Sequence, residues 1–272
     1  MKRFFYIVFI FFLLTNALPG ELFYQKGDYD ISISPPFFEK MISPKDKISF
    51  SIFLQNNGKE TVNLIGEVQS LIAKSNNGKV VFADHDIVHH SCQKWIHVDP
   101  TNAMIEPNEG QEVKVNIEVP DRIEGGYYAV ILFEPRAKNN IELPKNVSLS
   151  FALGTTIVLQ SRRKQKIDAK IISFGAEDTE DGTLFSVVLS NLGNVHLNPN
   201  VSIVLFSDRK RVVDRLTYEE GRFVLPGSER IFRFVWANTR KREHGKNYHA
   251  ECRFRITGLG RSLRKSISFS VN

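Results

Sequence analysis

The densest group of side chains able to do chemistry is Asp84-His85-Asp86-Ile87-Val88-His89-His90-Ser91-Cys92, with His97 close behind. Imidazole, carboxylate and thiolate all ligate zinc or copper, so His85, His89, His90 and His97 are the candidate metal ligands. Their spacing matches no metal-binding signature. A polar loop beside a strand accounts for the same residues, and no metal or other cofactor is assigned. Cys92 stands close to Trp95, which turns it toward a core. Nucleophilic catalysis lacks its parts, with no Gly-x-Ser-x-Gly and no Cys or Ser in an activating motif. Glu67 and Asp84 are scattered carboxylates without a glycosidase context. Tyr127 and Tyr128, after Gly125-Gly126, could offer rings to a sugar, but on a strand one turns inward and the other outward. Asn146-Val-Ser148 and Asn200-Val-Ser202 match glycosylation sequons. No catalytic set emerges, and the chain reads as a non-enzyme.

The elements that would position these groups are strands. Ile48, Phe50, Ile52 and Leu54 alternate with Ser49, Ser51, Phe53 and Gln55, a period of two that marks a half-buried strand. Asn56-Asn57-Gly58-Lys59 follows, and Asn-Gly predicts a hairpin returning through Val62, Leu64, Gly66 and Val68. A second turn, Asn76-Asn77-Gly78-Lys79, leads into Val80-Val81-Phe82. Residues 92–135 hold four short strands around Trp95 to Val98, Met104-Ile105, Val113 to Val119 and Tyr127 to Phe133. Val147, Leu149, Phe151 and Leu153 alternate with small residues, and Ile157 and Leu159 extend that strand. Tyr29 to Ser34 ends at Pro35-Pro36, which predicts an edge strand. After Ile167 a second series begins: Phe185, Val187 and Leu189; Val201, Ile203 and Leu205 with a hairpin at Asp208 to Lys210; Phe232, Phe234 and Trp236; then His249 to Ile256 and Leu263 to Val271. Short strands at regular spacing without a helix predict an all-β chain of two sandwiches.

The ends and the charge set the surroundings. Met1-Lys2-Arg3, the apolar run Phe4 to Leu14 and the small residues Thr15-Asn16-Ala17 read as a cleaved export signal over residues 1–17. No Cys lies near that cut to carry a lipid, and no later apolar run is long enough to span a membrane. The mature chain is expected outside the cytoplasmic membrane, in the periplasm or at the cell surface. Export permits disulfides, but Cys92 and Cys252 fall in different predicted domains, and both read as buried free thiols. Residues 1–160 carry 15 Lys+Arg and 18 Asp+Glu, a net of −3, whereas residues 161–272 carry 21 and 12, a net of +9. Such asymmetry favours an anionic membrane, an anionic polymer or an acidic partner. Nucleic acid is not expected, since export and the lack of a recognition motif both oppose it.

Several of these stretches together resemble a known group. Phe53-Leu-Gln-Asn56, Trp95-Ile-x-Val-x-Pro100, Pro107-x-x-Gly110, Val119-Pro120 and Gly125-Gly126-Tyr127-Tyr128 resemble the first domain of WxL-interacting cell-surface proteins, and more distantly the periplasmic pilus chaperones. Asn191-Leu-Gly-Asn-Val-His196, Leu225-Pro-Gly-Ser228 and Phe234-x-Trp236 resemble the second immunoglobulin-like domain of the same exported proteins. The resemblance implies an immunoglobulin-like domain over 18–160, a basic linker over 161–166 and a second such domain over 167–272. Asn146 to Leu159 is similar to the strand that pilus chaperones lend to an unfolded subunit. Those chaperones also hold the subunit's carboxyl terminus with an Arg and a Lys; the matching positions here are Pro35-Pro36 and Val158. The membrane anchor usual in the WxL-interacting family has no counterpart before Asn272.

The expected function is therefore binding or assembly in the bacterial cell envelope, through sandwich edges and a basic second domain. Two alternatives stand beside it: a chaperone for pilus or surface-protein subunits acting by strand donation, and a polysaccharide or peptidoglycan binder. The partner is an envelope protein or surface polymer. Its candidate contacts are Val147, Leu149, Phe151 and Leu153 on a strand edge, Tyr127 and Tyr128 near the glycines, and Arg162, Arg163 and Lys164 in the linker.

Overall fold

The computed structural model describes residues 22–26, 29–73, 80–83, 89–135, 152–218, 223–237 and 242–271. Two compact units emerge, Met1–Leu71 with Phe82–Lys164 and Ile72–Val81 with Gln165–Asn272. Each is a β-sandwich of the immunoglobulin-like kind. One 3-10 turn, Gln93–Trp95, is the only helical element among the described residues.

Unit 1 is built from β1 (Leu22–Lys26), β2 (Tyr29–Ser34), β3 (Phe37–Ile42), β4 (Lys47–Asn56), β5 (Val62–Ala73) as far as Leu71, β6 (Val80–Ala83) from Phe82 on, β7 (Ile96–Asp99), β8 (Asn102–Ile105), β9 (Gly110–Glu118), β10 (Gly126–Pro135) and β11 (Leu153–Ser161). One sheet runs β1-β2-β4-β9-β7; the other runs β3-β11-β10-β5-β6, with β8 on β5. The alternation in β4 does what its sequence predicts. Ile48, Ile52 and Leu54 are buried, and Phe50 stacks on Phe38 at 4.0 Å. Opposite them in register, Val113, Val115 and Ile117 of β9 fill the same core, and Ile131, Phe133, Leu153, Ile157 and Leu159 close it from the second sheet.

Two expectations fail. The Asn56-Gly58 segment makes no hairpin, because β4 pairs with β2 and β9 while β5 pairs with β10 and β8. The segment crosses from one sheet to the other. Asn56 takes the place of a backbone turn: fully buried, it accepts from the Gly58 N–H (3.0 Å) and donates to the carbonyls of Glu60 (2.9 Å) and Ile105 (3.0 Å). Nor is β2 an edge strand, since β1 lies outside it. Pro35-Pro36 instead marks where the chain leaves one sheet and enters the other as β3, the true edge. β3 runs parallel to β11, from Phe37 opposite Thr156 to Ile42 opposite Ser161.

Unit 2 comprises β12 (Ala169–Thr179), β13 (Gly182–Asn191), β14 (Asn200–Ser207), β15 (Val212–Thr217), β16 (Glu229–Trp236), β17 (Asn247–Arg255) and β18 (Leu263–Ser270). Its sheets run β12-β13-β16 and β15-β14-β17-β18. The Asp208-Lys210 hairpin forms as predicted, joining β14 to β15. The core is aromatic: Trp236 meets Tyr248 edge-on at 5.1 Å, Phe232 meets Phe254 at 5.3 Å and Phe185 meets Phe269 at 5.1 Å. Asn191 repeats the Asn56 device. It too is fully buried, accepts from the Gly193 N–H (2.9 Å) and donates to the carbonyls of Val195 (2.8 Å) and Val224 (2.9 Å). Its backbone repeats as well, with Asn56 N–H on the Glu109 carbonyl and Asn191 N–H on that of Ser228, both at 2.9 Å. The same Asn-x-Gly, followed later by Ile105-x-Pro107 or Val224-x-Pro226, carries the crossover in each unit.

Candidate functional site

Among the described residues the candidate histidines do not converge. His85 lies outside the described residues. His89 and His97 are exposed, His97 on β7 opposite Asn116. The ring of His90 meets the Gly126 carbonyl through Nδ1 at 2.8 Å. Among the described residues no three His, Cys, Asp or Glu groups could hold a metal. The described polar residues beside them, Ser91 and Gln93, serve the fold. Ser91 bridges to Tyr128 beside the start of β10, and the buried hydroxyl of Ser70 meets Ser91 (2.6 Å) and Gln93 (2.8 Å). Cys92 is fully buried in the core, and desolvation pushes its thiol pKa far up. Cys252, buried in the other unit, is raised to about 11 by the same cause. Both are free thiols.

The tyrosines are not an open aromatic pair. Tyr127 leans on Trp95 with ring centroids 4.4 Å apart, and its hydroxyl accepts from the Glu124 N–H at 2.9 Å. Tyr128 turns to the other face of β10 but is only 1% exposed. Gly126 is required beneath it, since a Cβ there would stand 2.1 Å from the Tyr128 hydroxyl. Among the basic residues, Arg162 and Arg163 are exposed, and Lys164 pairs with Glu124. Their backbone is tied down: Arg162 N–H donates to the Ile42 carbonyl at 3.0 Å and Arg163 N–H to the Ser161 hydroxyl at 3.2 Å.

The remaining candidate is the stretch of sequence leading into β11. Val147, Leu149 and Phe151 lie outside the described residues. Leu153 is fully buried against the unit 1 core, opposite Phe133 of β10. Downstream β11 is flanked on both sides, by β10 and by β3. Upstream the second flank ends. The Thr156 N–H donates to the Pro36 carbonyl at 2.9 Å and the Thr155 hydroxyl to that of Pro35 at 2.7 Å. Pro35 and Pro36 have no N–H to return. Among the described residues no register pair on that side lies before Thr156. Within β11, then, Leu153 to Thr155 pair with β10 and have no register partner in β3. Sequence reasoning found that alternation but not β3, whose pairing joins residues more than a hundred positions apart. The paired asparagines were also missed; their signal was Asn-x-Gly with a later apolar-x-Pro, present twice.

No protein-family model matches the chain, and no curated protein sequence matches it. Solved structures do. A chaperone–tip adhesin complex of CFA/I fimbriae biogenesis is similar at 12% identity over 89% of this chain and 98% of that one, with a TM-score of 0.46. The Salmonella enterica SafA pilin complex with the SafB chaperone gives 10% identity over 92% and 100%, with a TM-score of 0.45. The CsuC–CsuE chaperone–tip adhesion subunit complex of Acinetobacter baumannii gives 12% over 86% and 96%, with a TM-score of 0.44.

Proposed function

We propose that the chain is a non-enzymatic, exported binding protein that pairs the strand leading into β11 with an open sheet of an envelope protein. The observation that carries this reading is the register of β3, which flanks β11 only from Thr156 to Ser161. Upstream, two prolines stop the ladder, and Val147, Leu149, Phe151 and Leu153 recur at every second residue. That combination suits β-augmentation, in which backbone hydrogen bonds supply affinity and alternate side chains enter the partner's pockets. The partner class is a protein short of a strand. Val158, buried between Tyr128 and Glu39 in register, offers no cation for a partner's carboxylate, so recognition rests on the strand itself.

The test places a photo-crosslinking residue at Ser148 or Ser150 in the native host and asks which envelope proteins it reaches. Proline at the same positions removes an N–H and leaves the described core untouched. A discrete crosslinked protein that disappears with Ser148→Pro or Ser150→Pro, at unchanged melting temperature, supports strand pairing. No adduct, or an adduct indifferent to proline, refutes it.

A further inference from the structure

The excess positive charge of residues 161–272 has a structured location. Alternate residues of the β15-β14-β17-β18 sheet face away from the core. In register, Thr217, Ser202, Arg253 and Arg264 form one outward row. Arg215, Val204, Glu251 and Ser266 form the next, and Asn200 with Arg255 flanks the first on its other side. Four arginines thus share a face with one described carboxylate in these rows.

Their arrangement is unfavourable as it stands. Arg253 lies directly opposite Arg264, and like charges in that position repel. Arg253 reaches Glu251 at 3.2 Å, yet its solvent-shielded Nε has no hydrogen-bond partner. Among the described residues Arg215, Arg255 and Arg264 have no ion pair. Beside them a groove of about 220 Å³ is lined by Asn200, Ser202, Val204, Arg215, Thr217 and Arg255. Two guanidinium forks, two hydroxyls and an amide line one small space. A planar carboxylate has two oxygens in one plane to offer such a set, whereas a terminal phosphoryl group offers three, arranged tetrahedrally so that both forks can be met at once. Arg264 carries the cationic surface onward to a second groove of about 400 Å³ with Lys170, Arg261 and Lys265. A single phosphate would use one groove; a repeating one would use both. Val212, 51% exposed, is the one large apolar side chain strongly exposed in the described part of this face, which gives little to insert into lipid.

We propose that this face binds a linear phosphate polyanion, with its terminal phosphoryl group seated between Arg215 and Arg255. The site is independent of the strand-pairing reading. The test titrates the full chain with short-chain polyphosphate, with polyglutamate, and with phosphatidylglycerol-containing vesicles. Polyphosphate is expected to bind, more weakly as salt rises, and R215Q/R255Q to reduce its affinity at least about tenfold. A charge-matched control, R209Q/R211Q on the exposed β14–β15 turn, is expected to reduce it less than about threefold. Circular dichroism checks the fold, and R215Q alone, on an edge strand, serves if the double variant does not fold. Equal loss in both variants, equal affinity for polyglutamate, binding to vesicles alone, or no binding at all each overturns the proposal.

Discussion

Replacing Asn56 by alanine tests how the unit 1 sandwich is closed. The side chain is fully buried and makes three hydrogen bonds to backbone groups. Gly58 N–H is a buried donor whose partner is the Asn56 oxygen; left alone it costs about 1–3 kcal/mol. The Glu60 and Ile105 carbonyls keep second lone pairs, so each loses roughly 0.5–1.5 kcal/mol. The sum is about 4 kcal/mol, a large part of the stability of a domain this size. Asn191→Ala should cost a similar amount in unit 2, because its three contacts differ from those of Asn56 by no more than 0.2 Å. Asn56→Asp keeps the shape but points a carboxylate at two carbonyl oxygens, and should be at least as damaging as alanine. Urea unfolding gives the magnitude, and peptide-resolved hydrogen exchange shows which unit has loosened. A loss under about 1 kcal/mol for Asn56→Ala, or tolerance of Asn56→Asp, would refute the idea that this side chain stands in for a turn.

Four further outcomes are expected. Gly193→Ala should destabilise unit 2 by about 2 kcal/mol or more by thermal melting, since its Cβ would lie 2.2 Å from the Lys166 carbonyl oxygen. Burial lowers the His196 pKa from 6.5 to about 4, with the ring stacked on Phe223 at 4.2 Å. The unfolded chain therefore takes up the proton first, and stability should fall as pH drops from 6.5 toward 4. His196→Gln should flatten that slope in urea titrations. The Cys252 thiol, raised from 9.0 to about 11, contributes stability that is present below pH 9 and lost toward pH 11. In the native protein neither cysteine should react with a thiol reagent at neutral pH, and both should react in denaturant.

What the sequence displays is local, and the fold divides along that line. Val113-x-Val115-x-Ile117 and Phe232-x-Phe234-x-Trp236 announce their buried faces because a strand alternates with a period of two. The Asn56-Gly58 segment misleads because the residues of a hairpin turn and of an asparagine-capped crossover are the same over four positions. The difference lies in the Ile105 carbonyl, forty-nine residues away. Pro35-Pro36 announces that a ladder stops, but not which ladder, since β3 finds its neighbour only once β11 exists. The polar run before Cys92 displays ligand types, which can be read from a sequence, whereas convergence cannot. The basic face on unit 2 shows the same limit: its net charge is plain in composition, while the rows that align Arg253 with Arg264 exist only in register.

The parallel pairing of β3 with β11 also has a mechanical consequence. Consider tension that reaches β3 from the chain before Phe37 and β11 from the chain after Ser161. The two strands run the same way, so the first is drawn backward and the second forward along a common axis. The load is pure shear, shared by the ladder across all six register positions from Thr156 to Ser161, and those bonds must give way together. An antiparallel pair pulled at one end would peel open bond by bond. The short parallel ladder that ends at Thr156 is thus also the clamp that lets this unit bear a pull along its length.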